Sequence, residues 1–598
     1  MKTIIKLLDL LSPAERKRAG VLMVMMLIMA LLDMLGVASI LPFIAVLANP
    51  ALVETSPVLS WAFQFSTKLG VSSNEQFLFF LGFLVFALLV FTLTFKAVTT
   101  YAQTRFALMR EYSIGKRLVE GYLHQPYDWF LNRHSADLGK TILSEVQTVM
   151  YNGILPLMTL LAQSAVAVAL LGLLLLVAPL LAVSVGLVLG ISYGGILALM
   201  SGWLNTLGQA RIQANQERYT VVSEAFGAVK EVKAGGLESI FIERFAKPAE
   251  TYAKGQATAQ VIAQVPRFAL EAIAFGGMLL VILYLMAQRG SFAAALPIIA
   301  LYAFAGYRLM PALQQIYGAV TQLKFAGPAL NALHTDLMSL NPVESYVKVP
   351  ESLPLNKCIE LNNIVYQYPN ANSQALNGIN LSIPARSTVG LVGSTGSGKT
   401  TTVDLILGLL EPQGGTLCID GQVVNASNRR QWQKSIGYVP QHIYLADDTV
   451  SANIAFGLAA EAVSQEAVER AAKIANLHDF VVQNMPQGYG TMVGERGVRL
   501  SGGQRQRIGI ARALYHSPSV LVLDEATSAL DNLTEQAVME AMHNLGNQIT
   551  LILIAHRLST VKACDTIFLL EKGELKAQGT FDELTHANER FRAMTVNN

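Results

Sequence analysis

Six stretches between residues 20 and 320 are apolar over twenty or more residues, and no other feature of this 598-residue chain restricts its fold as strongly. A helix that crosses a bilayer needs about 20 mostly apolar residues. Backbone inside lipid must satisfy its own hydrogen bonds, which favours helices there. The stretches 20–48, 76–101, 153–177, 180–202, 266–287 and 293–320 therefore read as six membrane-spanning helices. Composition agrees: 52% of the residues are hydrophobic and 14% charged, where about 25% charged is usual for soluble domains. The excess is uneven, because residues 340–598 look like an ordinary soluble α/β domain. The chain is also too long for one domain.

The spacing of the spans is informative. Residues 178–179 and 288–292 are short connections, whereas 102–152 and 203–265 are long, polar and rich in helix formers. A structureless loop of about 50 residues is an uncommon element, so these segments read as helices continuing into the cytosol. Each must reverse at its far point, at Gln125-Pro126-Tyr127-Asp128-Trp129 and around Lys233-Ala234-Gly235-Gly236. Short transverse helices that touch the soluble domain are expected there. Lys and Arg crowd both long segments, and Arg16, Lys17 and Arg18 precede the first span. That asymmetry puts both termini on the cytoplasmic side.

Residues 1–19 read as an N-terminal interfacial helix, with Ser12-Pro13-Ala14-Glu15 as a capping box. No cleavable signal pattern is evident. The expected organisation is then a transmembrane domain over 20–325, a linker over 326–356 and a nucleotide-binding domain over 357–598. In the outer loop 49–75, residues 57–69 form a candidate amphipathic helix bearing Trp61, lying either in the outer interface or over the protein. A net charge of +2 gives no reason to expect nucleic acid. Three scattered cysteines without a Cys-x-x-Cys fit a reducing compartment rather than a disulfide framework or zinc site.

The soluble half carries the chemistry. Thr388–Val392 is an apolar strand run that leads into Gly393, Ser394, Thr395, Gly396, Ser397, Gly398, Lys399 and Thr400, followed by a helix-forming segment from Thr401. That strand, loop and helix context marks a phosphate-binding loop. Glycine lets backbone N–H groups curl around phosphate oxygens, and the helix N-terminus favours negative charge. Lys399 is expected to reach the β and γ phosphates of ATP, and the Thr400 hydroxyl to bind Mg2+. Val520-Leu521-Val522-Leu523-Asp524-Glu525 is an apolar strand ending in two acids. Asp524 is the expected Mg2+ carboxylate and Glu525 the general base for the attacking water. An acid after a strand is otherwise often a helix cap.

These motifs resemble the ATP-binding cassette (ABC) transporter family over residues 357–590. Leu500-Ser501-Gly502-Gly503-Gln504 matches the family signature, Gln441 the Q-loop, Tyr368 the aromatic that stacks on adenine, Ser528 to Asp531 the D-loop, and His556 the switch histidine. The resemblance implies ATP and Mg2+ as cofactors, with Thr400, Gln441 and Asp524 around the metal. It implies Glu525, His556 and Gln441 as catalytic residues. Tyr368 and Gly393 to Thr401 would bind ATP. In this family Ser501, Gly502, Gly503 and Gln504 complete the nucleotide site of another copy, with Asp531 beside it. One such site and six spans per chain imply a dimer, with a homodimer as the simplest form because both motifs are intact and a heterodimer as the alternative. The fold class expected is multidomain: an all-α six-helix transmembrane domain of ABC exporter type, then an α/β P-loop domain.

A finer resemblance is to PglK-like flippases of lipid-linked oligosaccharides, carried by the outer loop, Val265-Pro266-Arg267 with Glu271, and Gly306 to Pro311. It implies an amphipathic lipid-linked substrate and a bacterial inner membrane with the ATPase in the cytoplasm. Charges inside spans are expensive and usually functional, so Arg267, Arg308 and Lys96 are the substrate candidates. Arg267 also stands four residues before Glu271, where the two can simply pair. Peptide or drug export and an ATP-gated regulator or channel are the alternatives.

Overall fold

The computed structural model describes residues 2–68, 70–177, 179–289, 292–341, 352–369, 371–525, 535–538, 540–541, 548–555 and 558–596. The chain divides into two compact units, residues 1–125 with 133–343 and residues 126–132 with 344–598.

The first unit is helical. Helix α1 (Lys2–Asp9) buries Leu7 while Ile4, Ile5 and Leu8 stay exposed. Helix α2 (Pro13–Ala38) begins at the capping box, with Ser12 N–H donating to Glu15 Oε2 at 2.8 Å. The expected boundary at residue 19 thus falls inside a helix. The expected span 20–48 is also not one helix. It breaks at Ser39, whose hydroxyl donates to Gly36 O at 2.8 Å, and resumes as α3 (Ile40–Ala48). Serine bonded back to the preceding turn bends helices, and Pro42 offers no N–H to the ladder.

Helix α4 (Pro57–Thr67) covers the outer loop. It buries Leu59 against Val46, Val53, Phe77 and Leu81, with Ala62 and Phe63 packed alongside. Its other face exposes Val58, Trp61 and Phe65. Helix α5 (Asn74–Leu123) has 50 residues and so runs about 75 Å, far more than the roughly 30 Å hydrocarbon core. Chain reversal follows at Pro126, and the short helix α6 (Tyr127–Leu131) belongs to the second unit. The return helix winds loosely through π turns at Thr141–Glu145 and Met150–Ile154 before α7 (Leu155–Val177).

Helix α8 (Pro179–Gly227) leads to the second reversal, a short helix Val229–Gly235 closed by Gly236 at φ +61°. Among the described residues four helical runs are long and apolar enough to cross a membrane: Pro13–Ala48, Asn74–Leu123, Ser135–Val177 and Ala182–Gly227. The fifth and sixth expected spans fall on α9 (Pro266–Arg289) and α10 (Phe292–Ser339). Many of their side chains between 269 and 298 lie outside the described residues. Because α10 runs to Ser339, the start of the expected linker is helical.

The return helix ahead of α7 is locked to α8 by a buried polar group. Arg211 Nη2 donates to Glu145 Oε2 at 2.5 Å, and Nη1 to Thr148 Oγ1 at 3.2 Å. Asn215 Nδ2 donates to the other Glu145 oxygen at 2.9 Å. Arg211 and Glu145 are almost fully buried.

The second unit is α/β. Strands β1 (Cys358–Tyr366), β2 (Leu376–Pro384), β4 (Gly414–Ile419) and β5 (Gln422–Val423) form an antiparallel sheet ordered β2-β1-β4-β5. The larger sheet contains β3 (Thr388–Val392), β6 (Ile436–Val439), β7 (Val520–Asp524), β8 (Thr550–Ile554), β9 (Thr566–Glu571) and β10 (Glu574–Gly579) in the order β10-β9-β3-β8-β7-β6. Its pairs are parallel from β9 to β6. Strands β3, β7 and β8 are buried at every residue, as continuous apolar runs in a parallel sheet should be. This order sets the ends of β3 and β7 on either side of β8.

Candidate functional site

The site grows from the ends of those two strands. Beyond β3 the loop turns through Gly396 at φ +76° and Gly398 at φ +103°. A side chain at Gly398 would also meet Leu376 Cδ2 at 2.7 Å and Ala375 O at 3.0 Å, so only glycine serves there. Helix α11 (Lys399–Ile406) starts directly after it. Lys399 folds back, donating to Gly393 O at 2.8 Å and Ser394 O at 3.1 Å. Burial pushes the Lys399 ammonium down, and the carboxylates of Glu525 and Asp524 oppose that push. Among the described residues the buried Ser397 hydroxyl has no hydrogen-bond partner.

At the end of β7, Asp524 is buried, and Glu525 sits in the left-handed region at φ +50°. Non-glycine residues rarely adopt that conformation. The Glu525 N–H donates to Ile554 O at 3.1 Å, and Gln441 Nε2 donates to Glu525 Oε2 at 2.7 Å. Tyr368, beyond β1, shares a hydrogen bond with Thr401 Oγ1 at 3.1 Å and packs edge-on to Tyr366. Lys399, Gln441, Asp524 and Glu525 therefore face one another, with Tyr368 against the adjoining helix.

Two neighbours escaped the sequence reading. Tyr438 on β6 hydrogen-bonds Asp524 through its phenol, and burial, followed by that carboxylate, pushes the phenol up. Asp404 on α11 is buried, and burial, followed by Asp524, raises its carboxyl to about 6. On α6, burial and then Asp404 push the Tyr127 phenol up. The available signals were a tyrosine in an otherwise apolar strand and an acid on the buried side of a helix.

The signature lies at another helix start. Ser501 caps α12 (Gly502–Leu514), accepting from Gln504 N–H at 3.2 Å while its own N–H donates to Gln504 Oε1 at 2.8 Å. Gly502 and Gly503 form the first turn, whose free N–H groups suit an anion. Among the described residues no hydrogen bond or ion pair joins Ser501 to Gln504 with the glycine loop. Asp531 and His556 lie outside the described residues.

The donor set near the loop fits a magnesium nucleotide. Thr400 hydroxyl, Asp524 carboxylate and Gln441 amide are hard oxygen donors, and Mg2+ commonly takes one or two carboxylates and completes its shell with phosphate and water. The orphaned Ser397 hydroxyl and a lysine resting on loop carbonyls suit a phosphate chain.

Within the membrane unit the three candidate cations divide. Arg267 Nε donates to Glu271 Oε1 at 2.7 Å, and Glu271 also bonds Gln314. Lys96 and Arg308, in contrast, share Asp33: Lys96 Nζ lies 3.6 Å from Oδ2 and Arg308 Nη1 3.3 Å from Oδ1.

Comparison with known proteins follows the same division. Residues 376–528 match the family model described as ABC transporter, and residues 19–315 the ABC transporter transmembrane region. The chain is 32% identical to an ATP-dependent lipid A-core flippase of Cupriavidus metallidurans over 490 residues, 80% of each chain. It is 34% identical over 399 residues to the ATP-dependent lipid A-core flippase of Chromobacterium violaceum, covering 65% of this chain and 66% of that one. ABC transporter B family member 29, chloroplastic, of Arabidopsis thaliana is 35% identical over 388 residues, 64% of this chain and 60% of its own length. These last two alignments thus span less than two thirds of the relatives. A bacterial Atm1-family ABC exporter with ATP bound shares the fold, with a TM-score of 0.78, 24% identity and coverage of 98% and 99%.

Proposed function

The chain belongs to the ABC transporter family as an exporter-type half-transporter, and from that premise we propose that it is an ATP-driven flippase for a lipid-linked oligosaccharide or similar glycolipid. It works as a homodimer in a bacterial inner membrane, with the ATPase unit in the cytoplasm. Tyr368 stacks on adenine, the loop Gly393 to Gly398 wraps the phosphates, and Lys399 leaves its loop carbonyls for the β and γ phosphates. Thr400, Asp524 and Gln441 would hold Mg2+, which when bound would offset the phosphate charge. Tyr438 keeps the Asp524 carboxylate turned toward its task. Glu525 polarises the attacking water, with Gln441 fixing its carboxylate. His556 and Asp531 take their roles from the family resemblance alone.

Ser501 to Gln504 present a helix N-terminus to the γ-phosphate held by the other copy. Two nucleotides therefore draw two copies together, and α6, packed in the ATPase unit, carries that closure toward the spans. A substrate shifts the resulting equilibrium only through unequal affinity for its two states.

The observation that carries the lipid reading is the pair of cations, Lys96 and Arg308, inside apolar helices. Their company suits a phosphate-bearing headgroup. The relatives named as lipid A-core flippases favour a lipid over a peptide. The apolar stripe Val58, Trp61 and Phe65 on α4 suits a long lipid tail.

Reconstitution in liposomes tests the reading. ATP should move a polyprenyl pyrophosphate-linked oligosaccharide across the bilayer several-fold faster than passive exchange. Movement of a soluble peptide into the lumen with no lipid movement would contradict it.

A further inference from the structure

Asp33 is fully buried at its side chain, deep in α2 between α5 and α10. Among the described residues neither carboxylate oxygen has a hydrogen-bond partner. Thr92, one turn before Lys96, donates its hydroxyl to the backbone oxygen of Leu32 at 3.4 Å. Asp33 is therefore held by charge alone, through Lys96 at 3.6 Å and Arg308 at 3.3 Å. Both separations exceed the roughly 2.7–2.9 Å of a tight charged hydrogen bond. The cations are the accessible members, with side chains 33% and 21% exposed against 0% for Asp33. Arg267 does not join them, because Glu271 already neutralises it.

Among the described residues two cations against one carboxylate leave a single surplus positive charge, and a surplus charge inside apolar spans is costly until an anion meets it. We propose that Asp33 is a specificity-determining counter-charge, setting this cluster to accept a lipid headgroup with one net negative charge per chain. Lys96 and Arg308 reach the headgroup phosphate, and Asp33 keeps them together and returns to them when the headgroup leaves. A neutral or cationic headgroup gains nothing here. The proposal rests on the lipid-translocation reading and deepens it, because it makes the count of charges, rather than the identity of either cation, the quantity that selects substrate.

Charge-balanced variants of the full chain in detergent test this. The probe is fluorescent phosphatidylglycerol, with phosphatidylcholine as the neutral control. Arg308→Gln leaves one cation against Asp33 and should weaken phosphatidylglycerol binding at least about tenfold, whereas Asp33→Asn should tighten it by a similar factor. The double variant Asp33→Asn with Arg308→Gln restores one surplus charge and should bind nearly as the native chain does. Phosphatidylcholine should bind all four alike. A double variant no better than Arg308→Gln alone would mean that Asp33 is only a structural clamp, and would overturn the proposal. So would a native chain that does not prefer phosphatidylglycerol. Displacement of the probe by inorganic phosphate as readily as by unlabelled lipid would overturn the lipid as occupant. Because binding is read without transport, ATP-driven lipid movement that ignores the charge count sinks this inference alone. Absence of any lipid movement sinks the broader reading.

Discussion

Glu525→Gln should lower ATP turnover by about 10²–10⁴-fold while ATP stays bound. The substitution changes little else. Glutamine has the same shape, can hold the same φ near +50°, and keeps an amide oxygen for Gln441 Nε2, now 2.7 Å from the carboxylate. What it removes is the group able to take a proton from water. It also removes one negative charge from the neighbourhood of Lys399 and Asp524, so affinity for the triphosphate should rise. The strained backbone at Glu525 argues for function, since a residue held in that region by the Ile554 and Gln441 contacts costs about 1–3 kcal/mol. Turnover is measured as phosphate release, and retention with labelled nucleotide after gel filtration. Turnover at the native rate would mean that another group activates the water.

Arg211→Ala should have the largest effect on folding of the membrane unit. Removing the guanidinium leaves the Glu145 carboxyl buried without its counter-charge, with Asn215 still donating to it. Breaking one side of a buried pair typically costs about 3–5 kcal/mol. Replacing both partners with methionine should be far milder, because a packed apolar pair of similar volume is often neutral or better. Denaturation of the detergent-solubilised chain, followed by a probe in this unit, reads the difference as a cycle. Two single variants that lose less than about 1 kcal/mol each would show that the pair is not what locks the return helix to α8.

Legibility of these features tracked their distance along the chain. The capping box at Ser12, the turn at Pro126 with its short helix, and the strand, loop and helix around Lys399 each depend on a few consecutive residues, and each could be read directly. The break at Ser39 was less plain, because apolar content continues through it and only a hydroxyl and Pro42 signal the bend. Long-range partners could not be read. Lys96 and Arg308 stand out as charges in apolar runs, but that both meet Asp33 depends on how three helices pack. Likewise nothing local marks Glu145 and Arg211, charges of two separate polar segments, as partners that the fold buries together. Tyr438 reaches Asp524 only because β6 pairs with β7 in parallel register, with Tyr438 beside Val522.

Mixing two defective copies tests the shared nucleotide site most directly. Lys399→Ala disables the glycine loop and Ser501→Arg blocks the signature, so each variant alone should lack ATP turnover. In a dimer of one with the other, the intact loop of one copy meets the intact signature of its partner. Random pairing would restore about a quarter of the sites, and activity should recover toward that fraction. Mixtures as inactive as the separate variants, or a Ser501→Arg chain that hydrolyses ATP unaided, would contradict the account.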